Sequence, residues 1–388
     1  MGWRGTVGTA CTALLGIGAV GALTGCGATT VAAQAGTRGP RTVLQANDAA
    51  DGQLRWQLDL GPADDATEPV LAGDTVIVAG VGLGATAYDL RDGRVRWSVP
   101  GADLPAVVTH GLAVFDLGDR IEARRAGTGA VAWTRKTGGD LIRSRAGGPL
   151  ALVLNPGSPA PADPPAAAAP PRPGKEPRLS RARVSLLDPA TGRDVWSVRL
   201  PGPVAVLDSA VSTRHIFAVY STDYSGRNTL VAVRLADGHT EWSYPTSPVN
   251  GVSTAGDIAA VRVGLDRGRS EALDPRTGKA LWTVPQDGAA DDRRTPFLDQ
   301  DGLTVFRRDR TTGHRLPGAV QAAYGVYGVG AHGDLLVGAA GMTLTAVRGA
   351  GQAWTADVVR GPDPITYLDV DDHVVVSVTA VGQKRGGD

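Results

Sequence analysis

Apolar and polar residues alternate over short stretches along most of the chain. The segments "LAGDTVIVAG" (residues 71–80) and "TAYDL" (residues 86–90) are alternating and rich in β-branched residues, which predicts strands. "RVRWSV" (residues 94–99) alternates again and predicts a further strand that carries a Trp. Between the last two lies Asp-x-x-x-Gly. The Asp side chain suits the cap of a turn, and the Gly supplies the positive φ that a short hairpin connection needs. Strand, turn and strand therefore recur without helical periodicity, and the chain reads as all-β.

The pattern also repeats at long range. "AYDLRDGRVRWSVP" (residues 87–100) and "ALDPRTGKALWTVP" (residues 272–285) both read Ala-x-Asp-x-x-x-Gly-x-x-x-Trp. Trp stands at 56, 97, 133, 196, 242, 282 and 354, and a Gly precedes it by four residues at 52, 93, 129, 192, 238 and 278. The long gap before Trp354 holds two units. "DRTTGHRLP" (residues 309–317) sits midway, with Pro317 in the Trp position. The gap before Trp196 holds one unit and an insertion at 155–180, whose stretch 155–177 contains nine prolines. Such a composition predicts a disordered or polyproline-like surface loop.

The sum is eight units of about 40 residues, each expected to form a four-stranded antiparallel sheet. A single sheet of that kind cannot hide both faces, and all-β units of this period favour a propeller. The expectation is an eight-bladed β-propeller over residues 42–380. Seven blades is the alternative, because the last two units are degenerate. The chain opens with the outer half of a unit (residues 42–60) and finishes with an inner half (residues 365–380), so its two ends are expected to share one blade.

The N-terminus has a different character. Arg4 precedes an apolar, Gly/Ala-rich run from Thr6 to Leu23, followed by "LTGC" (residues 23–26). A charged start, an apolar core and small residues before the cut describe a secretory signal. The motif resembles the lipobox of bacterial lipoproteins. That resemblance implies a signal peptide at 1–25, acylation of Cys26, a flexible tether at 26–41 and a cell membrane location on the extracytoplasmic face. A C-terminal tail is expected at 381–388. "MGWRGT" matches a myristoylation pattern, and Gly16, Gly18 and Gly21 match G-x-G-x-x-G; both are by-products of a Gly-rich leader, since the second lacks the flanking strand and helix. The two cysteines are Cys11 and Cys26, so no disulfide is expected in the mature domain.

The full repeat stands at Ala46/Asp48/Gly52/Trp56, Ala87/Asp89/Gly93/Trp97 and Ala272/Asp274/Gly278/Trp282. It resembles the tryptophan-docking repeat of PQQ-type β-propellers, shared with the BamB-like lipoproteins. The resemblance implies that Trp56, Trp97, Trp133, Trp196, Trp242, Trp282 and Trp354 pack between neighbouring blades, against the Ala and the turn Gly. Burying one indole contributes up to about 4–6 kcal/mol. Other units depart from the pattern: Arg125 and Arg234 replace Asp, Leu186 replaces Ala, and the turn before Trp354 is compressed.

Candidate chemistry is sparse. Quinoprotein dehydrogenases of this resemblance use calcium, a carboxylate base and usually an adjacent Cys–Cys ring. The mature chain retains one Cys, so an enzyme is not expected, and neither a cofactor nor a metal. With 39 basic and 39 acidic residues, no charge excess points to nucleic acid. The six His residues are scattered in sequence without zinc spacing. "DQDG" (residues 299–302) and "DVDD" (residues 369–372) read as solvated turns rather than calcium loops. Arg125 and Arg234 are expected as exposed turn residues, with recognition of an anionic ligand as the alternative. Tyr220, Tyr224 and Tyr244 are expected as exposed aromatics that are ordinary strand residues, with partner contacts as the alternative. The expected function is a membrane-anchored, monomeric, non-catalytic scaffold for a protein or cell-envelope partner; a quinoprotein oxidoreductase and a carbohydrate-binding sensor are the alternatives. The positions where repeats fail (Arg125, Arg234, Pro317, the insertion) are where a binding surface is expected.

Overall fold

A computed structural model describes residues 41–61, 69–80, 84–102, 105, 107–136, 140–142, 149–154, 182–201, 205–221, 228–246, 249–255, 257–263, 269–285, 298–301, 304–321, 329–340, 342–358 and 365–381. Cys26 with its leader, the 155–180 insertion, Tyr224 and residues 382–388 lie outside these.

The described residues form eight antiparallel sheets, seven of four strands and one of three. This is the eight-bladed arrangement, and the seven-blade alternative falls. In ring order, blade 1 unites the two chain ends, and blades 2 to 8 span residues 70–99, 107–136, 140–199, 205–246, 249–285, 298–321 and 329–357. Blade 7 has three strands among the described residues.

In blade 1 the sheet order is Leu54–Gly61, Arg41–Asp48, Val374–Val381, Ile365–Val370. The junction runs in unbroken register from Arg41↔Val381 to Asp48↔Val374. The entropy of closing so long a loop grows only with the logarithm of its length, so a full antiparallel ladder offsets it.

Burial follows strand position. The second strand of blade 5, His215–Ser221, is buried at all but its last residue, because neighbouring blades cover both its faces. The outermost strand of blade 3, Val131–Lys136, alternates exposed and half-buried residues. The core is a set of interblade clusters. One joins Leu44, Val376 and Val378 of blade 1 to Val76 and Val78 of blade 2, with Trp56 between.

The ring is linked by one recurrent contact. Each indole Nε1–H donates to a backbone carbonyl in the third-to-fourth-strand turn of the next blade. Trp56 reaches Leu90 at 2.7 Å, Trp97 reaches Ala126 at 2.7 Å, and Trp133 reaches Pro189 at 2.8 Å. Trp196 reaches Leu235 at 2.8 Å, Trp242 reaches Pro275 at 2.7 Å, and Trp282 reaches Arg310 at 2.8 Å. Trp354 closes the circle on Ala49 at 3.0 Å. The acceptor always follows the Asp or Arg that begins the turn, and since it is a main-chain oxygen its side chain is free to vary. The turn Gly is the floor of each socket. A Cβ on Gly52 would lie 2.6 Å from Trp354 Cε3, and one on Gly192 would lie 2.5 Å from Trp133 Cε3. Across the sheet from the indole sits a small residue in six of seven cases, as in Ala46↔Trp56 and Ala272↔Trp282, with Leu186 opposite Trp196 the exception.

The eighth junction, between blades 7 and 8, is built differently. Pro317 replaces the indole, and the facing hairpin of blade 8 is shortened to Gly349 and Ala350 between its strands. Knob and socket are lost together. In their place the backbones close up. A Cβ on Gly318 would collide with the Gly349 carbonyl oxygen, and one on Gly338 would lie 2.6 Å from the Gln321 carbonyl oxygen. The missing Trp therefore leaves a sealed seam between the blades, with Pro317 itself exposed at its edge.

Candidate functional site

The two rims of the ring differ. One carries the first-to-second and third-to-fourth strand turns and all the Trp sockets; it is called the turn rim below. The other carries the second-to-third connections. There lie Leu154 and Arg183, which flank the insertion, and also Arg41 and Val381, where the chain joins and leaves blade 1.

The turn rim holds the densest polar chemistry among the described residues. Each turn forms through its backbone: Gly52 N donates to Asp48 O at 2.9 Å, and the Asp48 carboxylate accepts from Ala50 N at 2.8 Å. Where Arg replaces Asp the backbone bond remains, from Gly129 N to Arg125 O at 2.8 Å and from Gly238 N to Arg234 O at 2.9 Å. The Asp cap is therefore dispensable, which frees that position.

The residue just before the Trp points back at the turn. Arg55 donates to Asp48 at 2.8 Å. In blade 2, Arg96 forks onto Asp74 at 2.8 and 2.6 Å and also donates to Asp89 at 2.8 Å and Thr75 at 2.8 Å. Arg96 and Asp89 are mostly shielded, at 15% and 16% side-chain exposure, whereas Asp74 is open. The hydrogen bond from Arg96 holds the Asp89 carboxyl far below the usual carboxylate range, and that to Asp74 raises the guanidinium further.

Blade 5 writes the same pair with the signs exchanged. Arg234 holds the turn position and Glu241 precedes Trp242, joined at 3.2 Å. Arg234 also grips Asp237, whose carboxyl falls to about 2 chiefly through that hydrogen bond. Buried His215 completes the group, 2.8 Å from Glu241, whose carboxyl is lowered first by this bond. Arg234 is therefore neutralised locally, which corrects its reading as an anion receptor. Arg125 is exposed, as expected.

Two further corrections follow. Tyr220 is a buried core residue, packed with Val153, Ala218 and Val231, and Tyr244 is half-buried with its hydroxyl donating to Glu271 at 3.3 Å. Asp369 of "DVDD" is no solvated turn: its carboxylate accepts from Leu71 N of blade 2 at 2.8 Å and fastens two inner strands. Asp208 does the same with Val252 N of blade 6 at 2.7 Å.

Asp48, Asp74, Asp89, Asp188, Asp237, Glu241 and Asp309 are each held below the usual carboxylate range, by hydrogen bonds above all. Among the described residues no group of three His, Cys, Asp or Glu is placed to hold a metal ion. No helix among them is long and apolar enough to cross a membrane. Arg96, Glu241 and His215 were not anticipated from sequence. The signal was present: wherever the residue before the Trp is charged, its sign opposes that of the turn residue seven positions earlier.

The profile of the family described as outer membrane protein assembly factor BamB matches residues 3–149 and 118–310. The chain belongs to this family. Its members are the PQQ-like propellers that the repeat resembles. The chain is similar to the solved structure of BamB from Moraxella catarrhalis, at 17% identity over 89% of this chain and 92% of that one, with a TM-score of 0.39. It is similar to the computationally designed Ika8 protein, at 13% identity over 81% and 95%, with a TM-score of 0.51. It is also similar to a quinohemoprotein alcohol dehydrogenase from Pseudomonas putida HK5, at 14% identity over 82% and 74%, with a TM-score of 0.44. No curated protein matches the chain. The dehydrogenase corrects one expectation. Solved structures similar to this chain include alcohol dehydrogenases, and the expectation of a non-enzyme is not carried forward.

Proposed function

We infer that this chain is an envelope lipoprotein of the BamB family, anchored by acylation of Cys26 and presenting its propeller to a protein partner. The family match over residues 3–310 carries the reading, because that family is described by a role in outer membrane protein assembly. The "LTGC" sequence supports the anchor. The fold supports an interaction role as well, since a ring of rigid blades offers two broad rims whose outline is set by turns rather than by the core.

Two measurements test this. Labelling cells with a palmitate analogue is expected to mark the wild type and leave Cys26→Ala unlabelled and soluble; equal labelling and membrane retention would remove the anchor. Crosslinking in cells, followed by mass spectrometry, is expected to recover an envelope protein with the wild type. Recovery of none would remove the scaffold reading.

A further inference from the structure

Arg183 and Arg199 are direct cross-strand partners in blade 4, where its third strand begins and its fourth ends. Arg120 and Lys136 are partners at the same place in blade 3. All four lie at the rim of the second-to-third connections, on neighbouring blades. Like charges set directly opposite repel, so neither pairing helps its sheet. Among the described residues no other blade repeats the arrangement. Blade 5 has Asn228 opposite Thr246 there, and blade 7 has Thr304 opposite Gln321. Blade 6 has Arg269 opposite Pro285, and Arg269 is bonded to Glu271.

These cations are not neutralised as Arg234 is. Arg120 reaches Asp119 at 3.0 Å and Glu122 at 3.8 Å. Lys136, Arg183 and Arg199 pair with no carboxylate among the described residues, and Lys136 and Arg199 are exposed. Asp116, in the same hairpin as Asp119, is taken up by the backbone, accepting from Gly118 N at 2.9 Å and from Leu141 N at 3.4 Å. Most exposed cations of the turn rim share their hairpins with carboxylates instead, as Arg193 does with Asp188 and Arg276 with Asp274.

Two further features lie at this rim. The upstream chain joins blade 1 here, at Arg41. Residues 27–40 separate Arg41 from Cys26 and span at most about 50 Å when fully extended. A chain anchored at Cys26 thus enters the propeller through this rim and holds it close to the bilayer. Met342, 43% exposed, stands in the second-to-third connection of blade 8, on the far side of the ring from blade 4. A free phosphate ion does not call on an apolar side chain, whereas a lipid headgroup layer accepts both it and the cations.

We propose that the rim of the second-to-third connections docks on an anionic lipid surface through Lys136, Arg183 and Arg199. This docking rests on the lipoprotein reading: the anchor sets which rim faces the bilayer, and the cations set the lipid charge that the rim prefers.

Vesicle flotation of the full chain carrying Cys26→Ala separates the rim from the acyl anchor. Vesicles of phosphatidylcholine alone give the background. With about one quarter phosphatidylglycerol, binding is expected to rise about tenfold at about 0.1 M salt and to fall back at about 1 M. K136Q/R183Q/R199Q is expected to lose that rise with an unchanged circular dichroism spectrum. Should it fold poorly, K136Q/R199Q, which changes only exposed side chains, is expected to lose most of the rise. Arg193→Gln, at the turn rim, is expected to keep it. No rise with phosphatidylglycerol, a full rise in K136Q/R199Q, or a rise abolished by Arg193→Gln would overturn the docking. Release of the vesicles by inorganic phosphate, but not by chloride at equal ionic strength, would assign the arginines to a small anion and overturn it too. A wild type that palmitate does not label, with the rise intact in Cys26→Ala, would remove the anchor and keep the rim contact.

Discussion

Trp354 donates its indole proton to the carbonyl oxygen of Ala49, 3.0 Å away in space and 305 residues away in sequence. The bond lies beside the ladder that joins the two chain ends, so blade 1 is held both edge to edge and face to face. Trp354→Ala is expected to cost about 3–5 kcal/mol as a core truncation. Urea titration measures it, and a loss below about 1 kcal/mol would show that the ladder closes the ring unaided.

The same socket predicts the effect of its floor. Gly52→Ala places a Cβ 2.6 Å from the Trp354 ring at a φ of +75°. Strain and overlap are expected to cost about 1–3 kcal/mol. Gly73→Ala supplies the control: its φ is +65°, but nothing lies within 4 Å, so it carries the strain without the collision. Equal losses in the two variants would mean that the socket has room to give.

At the sealed seam, Pro317→Trp restores the repeat by sequence and has no socket to fill. Overpacking is expected to lower stability by about 1–3 kcal/mol. A rise in Tm would instead reveal a usable slot between blades 7 and 8.

The Arg96–Asp89 pair makes a prediction in pH. A carboxyl held below its unfolded value adds stability that is present above that value, and the stability is lost as pH falls toward the folded one. Asp89 ordinarily titrates at 3.8 and is held far lower by Arg96. The Tm of Asp89→Asn is therefore expected to lie below wild type by a constant margin down to about pH 5 and to converge on it only in stronger acid. No margin at pH 7 would show that the pair contributes nothing in the folded state.

The exchanged pair in blade 5 is tested by exchange. Arg234→Asp and Glu241→Arg are each expected to lower Tm, by leaving like charges together. Combining them is expected to recover much of the loss, because it rewrites the Asp48–Arg55 arrangement of blade 1. Additive losses would mean that His215, bonded to Glu241, outweighs the pair.

Much of the fold was legible because its rules are local. Alternation marks the outer strands, Asp-x-x-x-Gly marks the hairpin, and recurrence of Trp counts the blades. Positions that meet only in space were not legible. Tyr220 reads as an exposed aromatic until a neighbouring blade covers it. Arg234 reads as a free cation until Asp237 and Glu241 are seen on either side. Pro317 reads as a lost contact, though the facing hairpin of blade 8 had shortened to match.

The amino-acid sequence alone determined the strand grammar, the eight units and the sharing of one blade by the two chain ends. Each of these follows from backbone preference and burial period within a few tens of residues. Only the tertiary structure decided which functional groups share a surface. Lys136, Arg183 and Arg199, with no common spacing, come to one rim because antiparallel strands return every connection of the same kind to the same edge, whichever blade it belongs to.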